Sequence, residues 1–176
     1  YGKDLVVSAI SLRIADGTVF GFLGQNGTGK TTTMKMIVGI TTPSEGAIEL
    51  DGKPAGDISV HEKIGYMPET PSFYDRLTGL EFLRFSGELF RGLKQSDAQC
   101  ENLLKKVGLY EARNKAIWTY SKGMKQRLGF AQALVNNPTY VFLDEPLDGL
   151  DPIGRREIKE IIKTLKAAGK TIFFNS

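Results

Sequence analysis

The stretch GQNGTGKTT, residues 24–32, decides how the whole chain is read. An apolar run, residues 18–23, leads into it, and a helix-like segment ending near Ile40 follows. Gly24, Gly27 and Gly29 lack a Cβ, so the backbone can turn tightly, visit positive φ and point successive N–H groups into a nest for phosphate oxygens. Gln25, Asn26, Thr28 and Thr32 complete the nucleotide-binding stretch. Lys30 is expected to reach the β- and γ-phosphates, and Thr31 to offer its hydroxyl to Mg²⁺. The helix that starts here aims roughly half a positive charge at the anion. The spacing matches G-x-x-x-x-G-K-[ST] with a strand before it and a helix after it, as that pattern requires. A glycine-rich turn that merely joins strand to helix is the competing reading, and the rest of the chain weighs against it.

Composition agrees with a packed domain that holds its charge locally. The 176 residues are 41% hydrophobic, enough for one core, and the formal net charge of +3 comes from interspersed acids and bases. Nothing argues for an extended nucleic-acid or anionic-membrane surface. A single cysteine, Cys100, excludes an internal disulfide and shares a helical face with Leu103, Leu104 and Val107, the pattern of a buried structural thiol. No apolar run approaches the ~18 residues of a transmembrane helix, and no charged-then-apolar leader is present. A first residue other than Met and a last residue inside an apolar run lead us to expect a cropped domain.

Working outward, residues 5–14 carry the alternation Ile10, Leu12, Ile14 of a half-buried strand, and residues 18–23 read as a strand covered on both faces. Residues 31–40 form the helix behind the cradle. Residues 47–50 predict a short strand, and Asp51-Gly52 a hairpin corner, so the early strands are expected to be antiparallel. Residues 64–67 read as a buried strand ending at Pro68. Beyond it the period becomes helical: Phe82, Phe85, Leu89, Phe90 and Leu93 make one stripe, Ser96 caps the next helix, and Ser121 caps a third bearing Met124, Leu128, Ala131 and Val135. After Pro138 come a strand over 140–143, a helix striped by Ile158, Ile161, Ile162 and Leu165, and a strand over 171–174. Strand, helix, strand at this spacing implies a right-handed crossover in a mostly parallel sheet.

The strand at 140–143 ends in Asp144-Glu145-Pro146. In a parallel sheet its carboxyl end lies on the edge where the phosphate loop opens. Asp144 is therefore placed to hold Mg²⁺, and Glu145 to polarise a water against the γ-phosphate. Alone, this tripeptide would more often be a cap and a turn; the cradle upstream reverses that preference.

The stretch YSKGMKQRLGFAQAL, residues 120–134, narrows the reading further. With the cradle and residues 140–146 it resembles the nucleotide-binding domain of ATP-binding cassette (ABC) transporters, exporter-type bacterial or archaeal branch, over essentially the whole chain. The resemblance implies an α/β fold: a P-loop NTPase core with a mostly parallel sheet, an N-terminal antiparallel β subdomain and an inserted α-helical subdomain. One ABC ATPase domain would span 1–176, its core at 1–71 and 138–176 and its helical part at 72–137. The family's LSGGQ is filled here by Tyr120, Ser121, Lys122, Gly123 and Met124, so the resemblance implies that Ser121, Lys122, Gly123 and Met124 grip the nucleotide of an opposed domain. Tyr1 matches the adenine-stacking aromatic. Glu69 stands where the family has a glutamine near Mg²⁺ or water, and a carboxylate there can accept but not donate a hydrogen bond. Asp151 ends the loop expected at the dimer interface. The family's γ-phosphate histidine would align with the position after Ser176, and the sole histidine, His61, reads as a solvated surface residue.

What the resemblance implies is an ATPase: Glu145 and Lys30 catalytic, ATP and Mg²⁺ as cofactors, and Thr31, Glu69 and Asp144 around the metal. Partners would be a second nucleotide-binding domain and transmembrane permease domains at the cytoplasmic face of the cell membrane, with no nucleic acid. A non-transport cassette acting on ribosomes or DNA, and a phosphate-loop kinase, are the alternatives; the kinase would leave residues 120–127 unexplained.

Overall fold

The computed structural model describes residues 6–90 and 96–176. Its centre is a four-stranded parallel sheet in the order β1-β6-β5-β4, from β1 (Val19–Phe22), β4 (Ile64–Met67), β5 (Tyr140–Asp144) and β6 (Thr171–Asn175). All five residues of β5 are buried. Side chains alternate between the sheet's two faces. Val141, Leu143 and Ile172 accordingly enter one core cluster, and Tyr140, Phe142 and Phe173 another. The second cluster is closed by Met34 and Val38 at the helix α1 (Lys30–Ile37) and its end. The first, larger cluster is closed by α3 (Gly79–Glu88), α4 (Asp97–Lys106), α5 (Lys122–Gln132) and α6 (Pro152–Ala167). Full burial of a side chain such as Phe173 contributes about 1.5–3 kcal/mol.

The helix starts follow local chemistry. Thr78 and Glu81 form a reciprocal capping box before α3, and Ser96 and Gln99 form another before α4. Ser121 caps α5, and Asp151 caps α6 with Pro152 in its first turn. The expected thiol is fully buried among Leu104 and Val107, and burial pushes its pKa up. The far end of α5 rests directly on β4. A Cβ at Gly65 would lie 1.9 Å from the Ala133 carbonyl oxygen, so no residue with a side chain fits there.

The N-terminal antiparallel part is a two-stranded ribbon, β2 (Glu49–Leu50) and β3 (Lys53–Pro54), followed by the single-turn α2 (Ile58–His61). Asp51 and Gly52 both have positive φ, 54° and 69°, which matches the right-handed twist of a tight hairpin. Three expectations are corrected. Residues 6–14 are not a strand: no described strand pairs with them, Ala9 has φ 47°, and Ile10 and Leu12 are exposed. The strand β1 is half-buried rather than covered on both faces, because among the described residues it is an edge strand paired only with β6. In α3 the buried face is Phe82, Leu83, Ser86 and Gly87, while Phe85 and Leu89 turn outward. Leu93 lies outside the described residues.

Candidate nucleotide site

Because the four strands run parallel, the segments that follow them open on one sheet edge. The cradle follows β1, Asp144 ends β5, Asn175 ends β6, and Glu69 lies two residues beyond β4. The cradle turns on Gly27 (φ 84°) and Gly29 (φ 85°), and the N–H and hydroxyl of Thr28 both donate to the Gln25 carbonyl. Gly29 could not be replaced, since a Cβ there would sit 2.7 Å from Val7 Cγ2. It is also the N-cap of α1, supplies no capping side chain, and is followed by no acid in the first turn. The leading amides of α1 are thus left to an anion rather than spent on a cap.

Lys30 is 7% exposed, and its Nζ donates to the carbonyls of Gly24 (2.6 Å) and Gln25 (3.2 Å). Glu145 Oε1 lies 3.8 Å from the same nitrogen. One residue on, Thr31 Oγ1 donates to Asp144 Oδ1 at 3.1 Å. Asp144 is fully buried, yet its Oδ2 has no hydrogen-bond partner among the described residues. A buried carboxylate oxygen left open beside a threonine hydroxyl fits a small, hard cation, and Mg²⁺ takes only one or two carboxylates from a protein. Glu69 is exposed. Burial, then the negative charges of Asp144 and Glu69, push the Tyr66 hydroxyl up to about 12.

The capping stretch of α5 is built differently. Ser121 Oγ accepts the Met124 N–H at 3.2 Å, and Lys122 Nζ pairs with Asp148 Oδ2 at 2.7 Å. Gly123 stands against the loop that follows β5: a Cβ on it would be 3.4 Å from the Gly149 carbonyl. No hydrogen bond or ion pair among the described residues joins Ser121, Lys122, Gly123 or Met124 to the cradle. Asp151 Oδ1 accepts the Gly154 N–H at 2.7 Å as the cap of α6. Tyr1 lies outside the described residues. His61 is exposed as expected, and its Nε2 lies 2.9 Å from the Ala55 carbonyl.

Two residues of the site went unread in the sequence. Asn175 donates to Asp144 Oδ1 at 2.7 Å and accepts the Glu145 N–H at 2.8 Å; Gln126 donates to the Glu145 carbonyl at 3.1 Å. The available signal was a carboxamide closing an otherwise apolar strand.

A family model described as ABC transporter matches residues 7–148. The chain is 49% identical over 99% of its length to an ABC transporter ATP-binding protein of Nostoc sp., covering 53% of that protein. It is 42% identical over 97% of its length to a fluoroquinolones export ATP-binding protein of Mycobacterium tuberculosis, covering 56%. It spans about half the length of these curated relatives. Among solved structures, a dimeric, post-hydrolysis ATP-binding cassette bound to ADP and Pi superposes with a TM-score of 0.90 at 25% identity, covering 100% of this chain and 82% of that one.

Proposed function

The chain belongs to the ABC transporter family, and from that premise we propose that it is the ATP-binding and ATP-hydrolysing motor domain of a transporter. The observation that carries this reading is the joining of cradle and strand end: Thr31 on Asp144, with Lys30 beside Glu145. Lys30 leaves the loop carbonyls to bind the β- and γ-phosphates, and the α1 amides hold the phosphate oxygens. Gln25, Asn26, Thr28 and Thr32 belong to this stretch, with Tyr1 on the adenine.

Thr31 and Asp144 Oδ2 are the groups that would hold Mg²⁺, with Glu69 reaching it through water. When bound, the ion neutralises phosphate charge. Glu145 orients and polarises the attacking water, so positioning and fixed charge do most of the work, as in phosphoryl transfer generally. Two such domains close head to tail on two ATP molecules, with Ser121, Lys122, Gly123 and Met124 of each against the other's nucleotide and Asp151 at the interface. Residues 72–137 act as the helical part, moving against a core of 1–71 and 138–176. Permease domains at the cytoplasmic face of the membrane receive the motion. No described helix is long and apolar enough to cross a membrane. The 42%-identical relative named for fluoroquinolone export supports the exporter branch.

The test is calorimetry of ATP binding and assay of free phosphate on the full-length protein and its Lys30→Ala variant. The loss of charge-assisted hydrogen bonds should weaken ATP about ten- to a hundredfold. Unchanged affinity, or a phosphorylated acceptor in place of free phosphate, overturns the reading.

A further inference from the structure

The register of the two central strands sets Asn175 directly beside Asp144. Asn175 is fully buried and spends both ends of its carboxamide on the site: Nδ2 donates to Asp144 Oδ1 (2.7 Å), and Oδ1 accepts the N–H of Glu145 (2.8 Å). Gln126, 4% exposed and in the second turn of α5, donates to the carbonyl of the same Glu145 at 3.1 Å. The peptide groups before and after Glu145 are therefore each held by a side chain, one from β6 and one from α5. Glu145 needs this. Its φ is 47°, in the left-handed region that residues other than glycine rarely occupy and that persists only when the surroundings over-determine it.

We propose that Asn175 and Gln126 are positioning residues for the hydrolytic site. Asn175 pins Asp144 through Oδ1, which leaves Oδ2 for the cation, and with Gln126 it fixes the Glu145 backbone from which the carboxylate reaches the attacking water. The inference rests on the reading of Asp144 and Glu145 given above. Only a carboxamide meets both demands on Asn175: an aspartate has no hydrogen to donate to Asp144, a leucine neither donates nor accepts, and a serine is too short to span both groups. Gln126 also lies on the helix that Ser121 caps, so the signature-like helix touches the backbone of Glu145 through one hydrogen bond.

The experiment uses the full-length protein and two readouts, kcat for ATP hydrolysis and ATP affinity by calorimetry with and without Mg²⁺. Asn175→Leu should lower kcat about ten- to a hundredfold, the usual range for a partner that orients a metal ligand. It should also reduce the gain in ATP affinity that Mg²⁺ confers, while affinity without Mg²⁺ stays at the parental value. Asn175→Ser, which needs less room, should show the same split. Gln126→Leu should lower kcat and leave the Mg²⁺ gain untouched. A general loss of structure would instead lower the Mg²⁺-free affinity in step, and that result overturns the proposal. So does parental kcat in Gln126→Leu or in either Asn175 variant. Should neither Asn175 variant fold, Gln126→Leu alone decides. Glu145→Gln in the same assay separates the two levels. Parental hydrolysis there removes the reading of Glu145 as catalytic, on which this inference rests, whereas its loss alongside fully active Asn175 and Gln126 variants removes only this inference.

Discussion

The cradle after β1 and the capping stretch of α5 are the two helix starts proposed above to grip phosphate, and the fold treats them in opposite ways. The cradle is sewn into its own sheet edge by part-buried contacts: Thr31 to Asp144, and Lys30 to the loop carbonyls and towards Glu145. Among the described residues, the side chains of Ser121 and Lys122 make their polar contacts within their own turn and with the loop after β5, the latter through an ion pair whose partners are 72% and 55% exposed. The first joins the proposed phosphate and metal groups within one chain. The second presents a serine, a glycine and helix amides that no hydrogen bond or ion pair among the described residues joins to the cradle, as expected of half a site in the proposed dimer.

The largest effect that tests this contrast belongs to the cradle side. Glu145→Gln keeps size and hydrogen bonding but removes the negative charge beside Lys30. In full-length protein, ATP should still bind while hydrolysis falls by about a hundredfold or more, and ATP-bound dimers should accumulate on size exclusion. Hydrolysis at the parental rate would remove Glu145 from catalysis. The next effect belongs to α5. When subunits carrying Ser121→Arg are mixed with subunits carrying Lys30→Ala, one class of mixed dimer has one composite site intact and the other doubly damaged. Phosphate release should then exceed that of either variant alone. Heterodimers shown to form yet giving no recovery would mean that the α5 start serves its own chain's nucleotide, or that the two sites fire only together.

How much of this was legible in the sequence depended on the range of the interaction. The cradle, the strand ending at Asp144 and the caps at Ser96 and Ser121 are set by residues within a few positions of one another, and spacing alone reported them. Asn175 acts on Asp144, 31 residues away, and its role exists only because strand register puts the two side by side. In sequence it merely follows a largely apolar strand. The reading of residues 5–14 as a strand failed over its described part for the converse reason: alternation reports a face that could be buried, but a strand also needs a partner for its backbone groups, and none is described there. The α3 stripe misplaced Phe85 and Leu89 because its buried face includes Ser86 and Gly87, which a hydrophobic period passes over.

The smallest expected effect is at the ion pair that tethers α5. The Lys122 ammonium donates to Asp148 and, with its charge, holds that carboxyl below the usual carboxylate range. A carboxylate whose folded pKa is depressed contributes stability that is fully present above its unfolded value, near 3.8, and is lost as the pH falls through the folded value. Since both partners are exposed, the contribution is that of a screened surface pair, about 0.2–1 kcal/mol at most. Asp148→Asn should therefore cost a few tenths of a kcal/mol at neutral pH, in the range of exposed pairs. The difference should close in high salt and vanish once the pH drops below the depressed value, because parent and variant then both lack the charge. Thr31→Val, which removes the part-buried hydroxyl from Asp144 Oδ1, should show no such closure in salt. Urea unfolding of both variants at low and high ionic strength tests the contrast directly. A salt-insensitive loss at Asp148 would mean that the α5 start is held as firmly as the cradle, and the picture of a lightly tethered half-site would fail.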